Sequence, residues 1–242
     1  MENLPSYINV FFILTALLAI FIFYRAANQS KAVLIILFAW LIVQGLISRT
    51  GFYTYTTSAP PRFVLTIVPP LLLTVLLFIV PAGRRFIDSL NIKTLTILHI
   101  VRLPVEISLL WLFIHKAIPS VMTFEGRNFD ILSGLTAPVI YYFVFVKKWV
   151  GYKFLLTWNI ICLVLLLNIV ATAILSAPFN FQQLAFDQPN IAILYFPFTW
   201  LPSCIVPLVF FSHLASIRYL LRNKKADEKL IGQDSMQQSF TK

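Results

Sequence analysis

The chain has 242 residues, of which 59% are hydrophobic and 12% are charged, and its mean hydropathy is +0.85. This composition excludes a water-soluble globular protein, because too few polar side chains remain to cover its surface. The formal net charge of +10 does not indicate nucleic-acid binding, since the lysines and arginines stand between apolar runs and form no long basic face. We therefore expect a protein that crosses the lipid bilayer several times.

Seven apolar runs have about the length, roughly 17–25 residues, that a helix needs to cross a bilayer. They cover residues 7–24, 32–48, 63–81, 94–115, 131–146, 154–176 and 191–221. The pattern predicts an all-α protein with a single seven-helix transmembrane domain over residues 1–222. The first run follows Glu2 and no basic residue, so we expect it to stay as a span and not to be cleaved as a signal peptide. Residues 223–242 are polar and lack periodicity, which predicts a disordered cytoplasmic tail.

The basic residues fall mainly in alternate connections between the runs. By the positive-inside rule, their distribution predicts an outer N-terminus and a cytoplasmic C-terminus. The expected location is the plasma membrane, which is the inner membrane if the source is a bacterium. The connections with few basic residues hold only Arg49, Arg62, Lys116 and Arg127. The alternate connections, with many basic residues, hold Arg25, Lys31, Arg84, Arg85, Lys93, Lys147, Lys148, Lys153, Arg218, Arg222, Lys224, Lys225 and Lys229.

Prolines interrupt several of the predicted spans. Each proline removes a backbone hydrogen bond and favours a kink. The last run holds three of them, so we expect the seventh helix to be bent. The prolines are Pro69, Pro70, Pro104, Pro138, Pro197, Pro202 and Pro207.

The fourth run contains Arg102 and Glu106, at a depth where charge is costly and marks function by default. His99, Arg102 and Glu106 are three and four residues apart, so one helix face carries all three, and we expect this face to point into the bundle. Arg102 and Glu106 are then close enough to pair. Two interpretations stay open: an ion pair that only fixes helix register, and a ligand, proton or ion site.

Asn159 and His213 have predicted depths within one or two helical turns of that of His99, counted from the cytoplasmic ends at about 1.5 Å per residue. We therefore place both in the same candidate ligand or proton site. Haem ligation by His99 and His213 is an alternative that no spacing motif supports. Cys162 and Cys204 also lack metal-site spacing, so the sequence predicts no metal site.

A second group of candidates lies in the outer connections, where loops commonly carry functional residues. His115 with Glu125 or Asp130 would make an acid–base pair, and Arg127 would hold an anionic group. The alternatives are that Glu125 pairs with Arg127 and that Asp130 and Asn190 cap the helices that follow them, which we favour for both. The outer candidates are His115, Glu125, Arg127, Asp130 and Asp187.

Four functional hypotheses follow from these observations. The first is a binding or sensing protein that holds a small apolar or lipid-like ligand beside His99, Arg102 and Glu106. The second is a proton-coupled transporter that uses the Arg102–Glu106 pair. The third is a membrane enzyme acting through the outer residues, and the fourth is an assembly subunit with a dry core. A retinal protein is not expected, because residues 191–217 contain no lysine, and no catalytic motif decides whether the chain is an enzyme.

Overall fold

The computed structural model describes the backbone of residues 4–239 and the side chains of residues 4–222. The described chain is 73% helical and contains no strands. The prediction for the tail concerns residues 223–242, whose side chains lie outside the described residues, so it stays a prediction. The α-helices are α1 (Ser6–Ala26), α2 (Lys31–Arg49), α3 (Val64–Ile79), α4 (Pro81–Ser89), α5 (Ile92–Leu98), α6 (Arg102–Ile114), α7 (Ile131–Tyr141), α8 (Tyr152–Leu175) and α9 (Val206–Ser239).

Within the described part of the chain, five helical segments are long and apolar enough to cross a membrane, and a sixth is added if α3 and α4 count as one bent span. The apolar helix Ile131–Val146 is shorter. Its 16 residues measure about 24 Å, which is less than the roughly 30 Å of a bilayer's hydrocarbon core. The five segments are Ser6–Ala26, Lys31–Arg49, Ile92–Ile114, Tyr152–Leu175 and Leu201–Arg222.

The core of the bundle lies where α1, α5, α6, α8 and α9 meet. α1 packs along α5 and α6, while α9 contacts both α5 and α8. α2 and α3 contact the bundle over smaller areas and expose apolar side chains such as Ile36 and Leu73, which are 58% and 49% exposed. An exposed apolar surface of this extent suits contact with lipid and not with water.

The chain bends by 95° between α3 and α4. Pro81 occupies the first position of α4, where its missing N–H costs no hydrogen bond. Gly83 lies against the backbone of Leu77, and a Cβ at this position would clash with it. α4 buries Ile87 and exposes Arg84 and Arg85, so it is a short amphipathic helix of about two turns.

Asp88 ties α4 to α9 through ion pairs with Arg218, at 2.9 Å, and with Arg222. The hydrogen bonds from these arginines lower the pKa of Asp88 below its ordinary value. Nearby, the N–H of Asn91 donates to the carbonyl of Ala26, and Asn28 donates to the carbonyl of Ser89. The ends of α1, α4, α5 and α9 that carry the basic connections therefore meet at one end of the bundle.

Three of the predicted spans contain irregular turns, and in the fifth run this is a π-turn at Tyr142–Val146. A 3₁₀ turn at His99–Val101 separates α5 from α6 within the fourth run. The last run does not begin its long helix at residue 191: a π-turn at Leu201–Ile205, which contains Pro202, leads into α9. Prolines at 197, 202 and 207 prevent a regular helix over the first part of this run, because each lacks the N–H that the helix needs.

The connection between α6 and α7 folds back into the bundle. Arg102 lies twelve residues before the end of α6, about 18 Å along the helix axis, yet its guanidinium contacts Asp130 at the start of α7. Met122, Thr123 and Asn128 in this connection are at most 1% exposed. Non-helical backbone at membrane depth is tolerated where protein surrounds it. The buried start of α7 also explains why this helix is too short for a complete span. We call residues 117–130 the buried loop.

Candidate functional site

Arg102 is the centre of a buried polar cluster. Its Nη1 lies 2.6 Å from Oδ1 of Asp130, and its Nη2 lies 3.0 Å from Nε2 of His213. The side chains of Arg102 and Asp130 are 3% and 7% exposed. The guanidinium therefore joins α6, the buried loop and α9, and it does so away from water, where an ion pair also requires good hydrogen bonds.

This geometry corrects two sequence-based interpretations. Arg102 pairs with Asp130 and not with Glu106, although Glu106 lies one turn away on the same helix. Asp130 precedes α7, but its side chain makes no capping hydrogen bond, because the carboxylate is committed to Arg102. Asn190 does not cap a helix either; its amide donates to the carbonyl of Ala173 at 3.2 Å.

Glu106 is held by Asn128 of the buried loop. Nδ2 of Asn128 donates to Oε1 of Glu106 at 2.6 Å and to the carbonyl of Met122 at 3.0 Å. Its Oδ1 accepts from the N–H of Asp130 at 3.0 Å. Asn128 thus uses both ends of its amide to fix the loop against α6. The sequence places Asn128 and Asp130 in an outer connection, and no local pattern there indicates that they turn inward to meet α6.

His99, Asn159 and His213 come together as their predicted depths require. Nδ1 of His213 lies 2.9 Å from Oδ1 of Asn159, and the rings of His99 and His213 stack with centroids 3.9 Å apart. Trp158 packs edge-on against His99. A bis-histidine haem requires its porphyrin to lie between the two imidazoles, and the stacked rings of His99 and His213 leave no room for one. Among the described side chains, residues 4–222, there is no group of three or more His, Cys, Asp or Glu able to hold a metal ion.

A cavity of about 230 Å³ lies beside this cluster, between α3, α6, α8 and α9. Most of its lining is apolar and includes Leu71, Leu109 and Leu166. Glu106 and Asp130 are the charged residues among the described side chains that line it. Within the described part of the chain, Oε2 of Glu106 is buried and has no hydrogen-bond partner. Buried polar atoms are normally paired, so Glu106 carries an unused hydrogen-bond acceptor at the wall of this cavity.

The charge balance of the cluster adds to this picture. Two carboxyl groups, Glu106 and Asp130, face one guanidinium, which bonds Asp130. Protonation of Glu106, or a cationic group next to it, would balance the local charge, and a hydrogen-bond donor would pair its free oxygen.

Most of the outer candidates do not converge. His115, Glu125, Arg127 and Asp187 are exposed, and only Asp130 joins the buried cluster. Nδ1 of His115 lies 2.8 Å from the carbonyl of Trp111 on its own helix. Arg127 and Asp187 share the lining of a separate cleft of about 280 Å³, which neither His115 nor Glu125 lines. Glu125 and Arg127 form no ion pair with each other in the described structure.

Comparison with known proteins gives a family and no function. The model of a family described as a domain of unknown function, DUF8737, matches residues 59–221. This range includes α3 to α8, the described side chains of α9 but one, and every residue of the buried polar cluster. No curated protein and no solved structure matches the chain.

Proposed function

This chain belongs to the DUF8737 family, and we propose that it binds a small, largely apolar molecule in the cavity beside Glu106. The observation that carries the proposal is the unpartnered Oε2 of Glu106, a buried carboxyl oxygen on the lining of a cavity in which Asp130, the other charged residue among the described side chains that line it, is already paired with Arg102. Ligand sites typically combine an apolar lining with a few placed polar groups that orient the ligand.

The proposal includes a seven-span arrangement in the plasma membrane, with the N-terminus outside and the C-terminus in the cytoplasm. Support comes from the seven apolar runs and from the basic residues collected at one end of the bundle. The short helix Ile131–Val146 completes its crossing together with the buried loop that precedes it, and α3 forms the third crossing with α4 lying at the basic end.

The size of the cavity limits the ligand. A volume of about 230 Å³ exceeds the roughly 150 Å³ of an apolar cavity that binds benzene, and it is below the roughly 300–1,000 Å³ of pockets for drug-sized molecules. A single ring or a short branched chain suits this space. The head group is a hydrogen-bond donor, an amine or a hydroxyl, because the free atom of the site is an acceptor.

The competing functions have less support. A proton-coupled transporter built on an Arg102–Glu106 pair lacks that pair, since Arg102 bonds Asp130. A membrane enzyme built on the outer residues lacks a converging set, because His115 and Glu125 lie apart from the cleft that Arg127 and Asp187 line.

The test measures thermal stabilisation of the purified protein by cyclohexylamine and by cyclohexanol, and identifies small molecules that co-purify from the membrane. We expect wild type to be stabilised by one or both compounds and to retain a bound molecule. Glu106→Gln removes the carboxylate, and Ala173→Phe fills the cavity while leaving Glu106 intact. Loss of a charge-assisted hydrogen bond of about 1.5–3 kcal/mol predicts an affinity roughly tenfold to a hundredfold lower for the amine in Glu106→Gln.

Glu125→Gln is the matched control, because it removes an exposed carboxylate far from the cavity lining. It should bind as wild type does. The proposal is refuted if neither compound stabilises wild type more than Ala173→Phe, and if the co-purifying molecules are the same in every variant.

A further inference from the structure

A second cavity, of about 460 Å³, lies between α2, α3 and α9. Ile36 of α2 and Leu73 of α3 line it and are 58% and 49% exposed, so the cavity opens on the surface that α2 and α3 present to lipid. It shares Pro207 with the lining of the cavity beside Glu106 and otherwise has its own residues.

The polar groups in this second cavity are already engaged. The hydroxyl of Thr74 donates to the carbonyl of Pro70 at 2.9 Å, and that of Ser203 donates to the carbonyl of Thr199 at 2.8 Å. Nε1 of Trp40 donates to the carbonyl of Ser203 at 2.8 Å. An occupant therefore meets an apolar wall, as a hydrocarbon chain requires.

Exposed basic residues lie within two positions along the chain of residues that line this cavity. Phe86 of α4 lines it, and the two residues before Phe86 are the exposed Arg84 and Arg85. Lys31, also exposed, begins α2 two residues before the lining residue Val33. The nearby acid, Asp88, is engaged by arginines of α9, so it does not neutralise α4.

We propose that this cavity binds an anionic phospholipid, with one acyl chain between α2 and α3 and the phosphate at Lys31, Arg84 and Arg85. An apolar channel that opens to the membrane next to exposed basic side chains matches the two parts of such a lipid. Apart from Pro207, the site uses other residues than the cavity beside Glu106, and the proposal does not depend on whether a small molecule binds there.

The experiment uses the fluorescence of Trp40, which lines the cavity. The full chain is placed in phosphatidylcholine vesicles that contain a minor fraction of chain-brominated phosphatidylglycerol or, for comparison, chain-brominated phosphatidylcholine. Bromine quenches tryptophan at contact, and subtraction of a Trp40→Phe variant isolates the signal of Trp40. We expect several-fold stronger quenching by the brominated phosphatidylglycerol.

Two double variants test the role of charge. Arg84→Ala with Arg85→Ala should lower the affinity for phosphatidylglycerol by about thirtyfold and equalise the two quenchers. Lys147→Ala with Lys148→Ala removes two exposed charges from the connection between α7 and α8, away from the cavity lining, and should change nothing.

Equal quenching by the two brominated lipids in wild type overturns the proposal, as does an unchanged preference in the Arg84/Arg85 variant. If Trp40→Phe does not fold, phosphatidylglycerol retained after detergent exchange is counted by mass spectrometry in wild type and in both double variants. Retention that is equal in all three likewise overturns the proposal.

Discussion

Removing the charge of Asp130 tests the reasoning about the buried cluster most directly. Asp130→Asn keeps the shape of the side chain and leaves Arg102, whose side chain is 3% exposed, without the carboxylate that bonds it. Breaking a buried ion pair costs about 3–5 kcal/mol in soluble proteins. A cation at the centre of a membrane helix costs about 2.5–3.5 kcal/mol on insertion scales. Both values predict a loss of roughly 3 kcal/mol in the free energy of unfolding.

The assay is reversible unfolding in mixed micelles of increasing dodecyl sulfate content, followed by circular dichroism. Glu106→Gln is the decisive comparison, since its amide oxygen still accepts from Asn128 and Arg102 keeps its partner. We expect it to cost less than about 1 kcal/mol. The exposed Glu125→Gln should stay within about 0.5 kcal/mol of wild type.

A double variant separates a lost attraction from an uncompensated charge. Arg102→Met combined with Asp130→Asn should be less destabilised than Asp130→Asn alone, because the buried guanidinium that has lost its bonded partner is then also removed. The reasoning is refuted if Asp130→Asn unfolds within about 1 kcal/mol of wild type, or if Glu106→Gln costs as much as Asp130→Asn.

Three further predictions concern the buried loop and α4. Gly126→Ala should lower the free energy of unfolding by about 1–3 kcal/mol, because the added Cβ would clash with the backbone of Ser120. Gly151→Ala should be nearly neutral in the same assay, because a Cβ there meets nothing within 4 Å. Equal effects of the two substitutions would contradict this prediction. Asn128→Ala should cost roughly 2–3 kcal/mol, since it leaves Oε1 of Glu106 and the N–H of Asp130 without partners; a loss below about 0.5 kcal/mol would show that the loop is not held this way. Because the pKa of Asp88 is lowered, this carboxylate stabilises the fold at pH values above the ordinary carboxyl pKa of about 4, and the contribution is lost as the pH falls through the lowered value. Asp88→Asn should therefore lose less stability in acid than wild type does, by less than about 1 kcal/mol because the ion pair is partly exposed. Identical acid dependence of the two proteins would contradict this prediction.

The sequence predicts the class of this protein well, because apolar length is a physical requirement that a bilayer imposes on every span. It predicts the span boundaries less well. The last helical span begins at Leu201, ten residues later than hydropathy suggests. Hydropathy does not show that the prolines of this run lack the backbone N–H that a helix needs. The number of spans that hydropathy gives also depends on whether a short helix such as Ile131–Val146 counts.

The candidate site shows where sequence reasoning ends. Helical spacing correctly predicts that Arg102 and Glu106 face the interior of the bundle, where both are at most 3% exposed. The same spacing suggests that they pair with each other, and this is wrong. The partner of Arg102 is 28 residues away along the chain, in a segment whose polar composition is also that of an ordinary outer loop. Only tertiary structure shows that this segment folds inward.

The buried loop also connects the interior of the bundle to an exposed residue, so that changes in the interior can be monitored from the protein surface. Glu125 is exposed, and three residues later Asn128 holds Glu106. Both cysteines of the chain, Cys162 and Cys204, are buried. A Glu125→Cys variant therefore offers one accessible thiol for a fluorophore without removal of the native cysteines. Emission from that dye would follow events at Glu106 from the surface, in intact membranes and in real time.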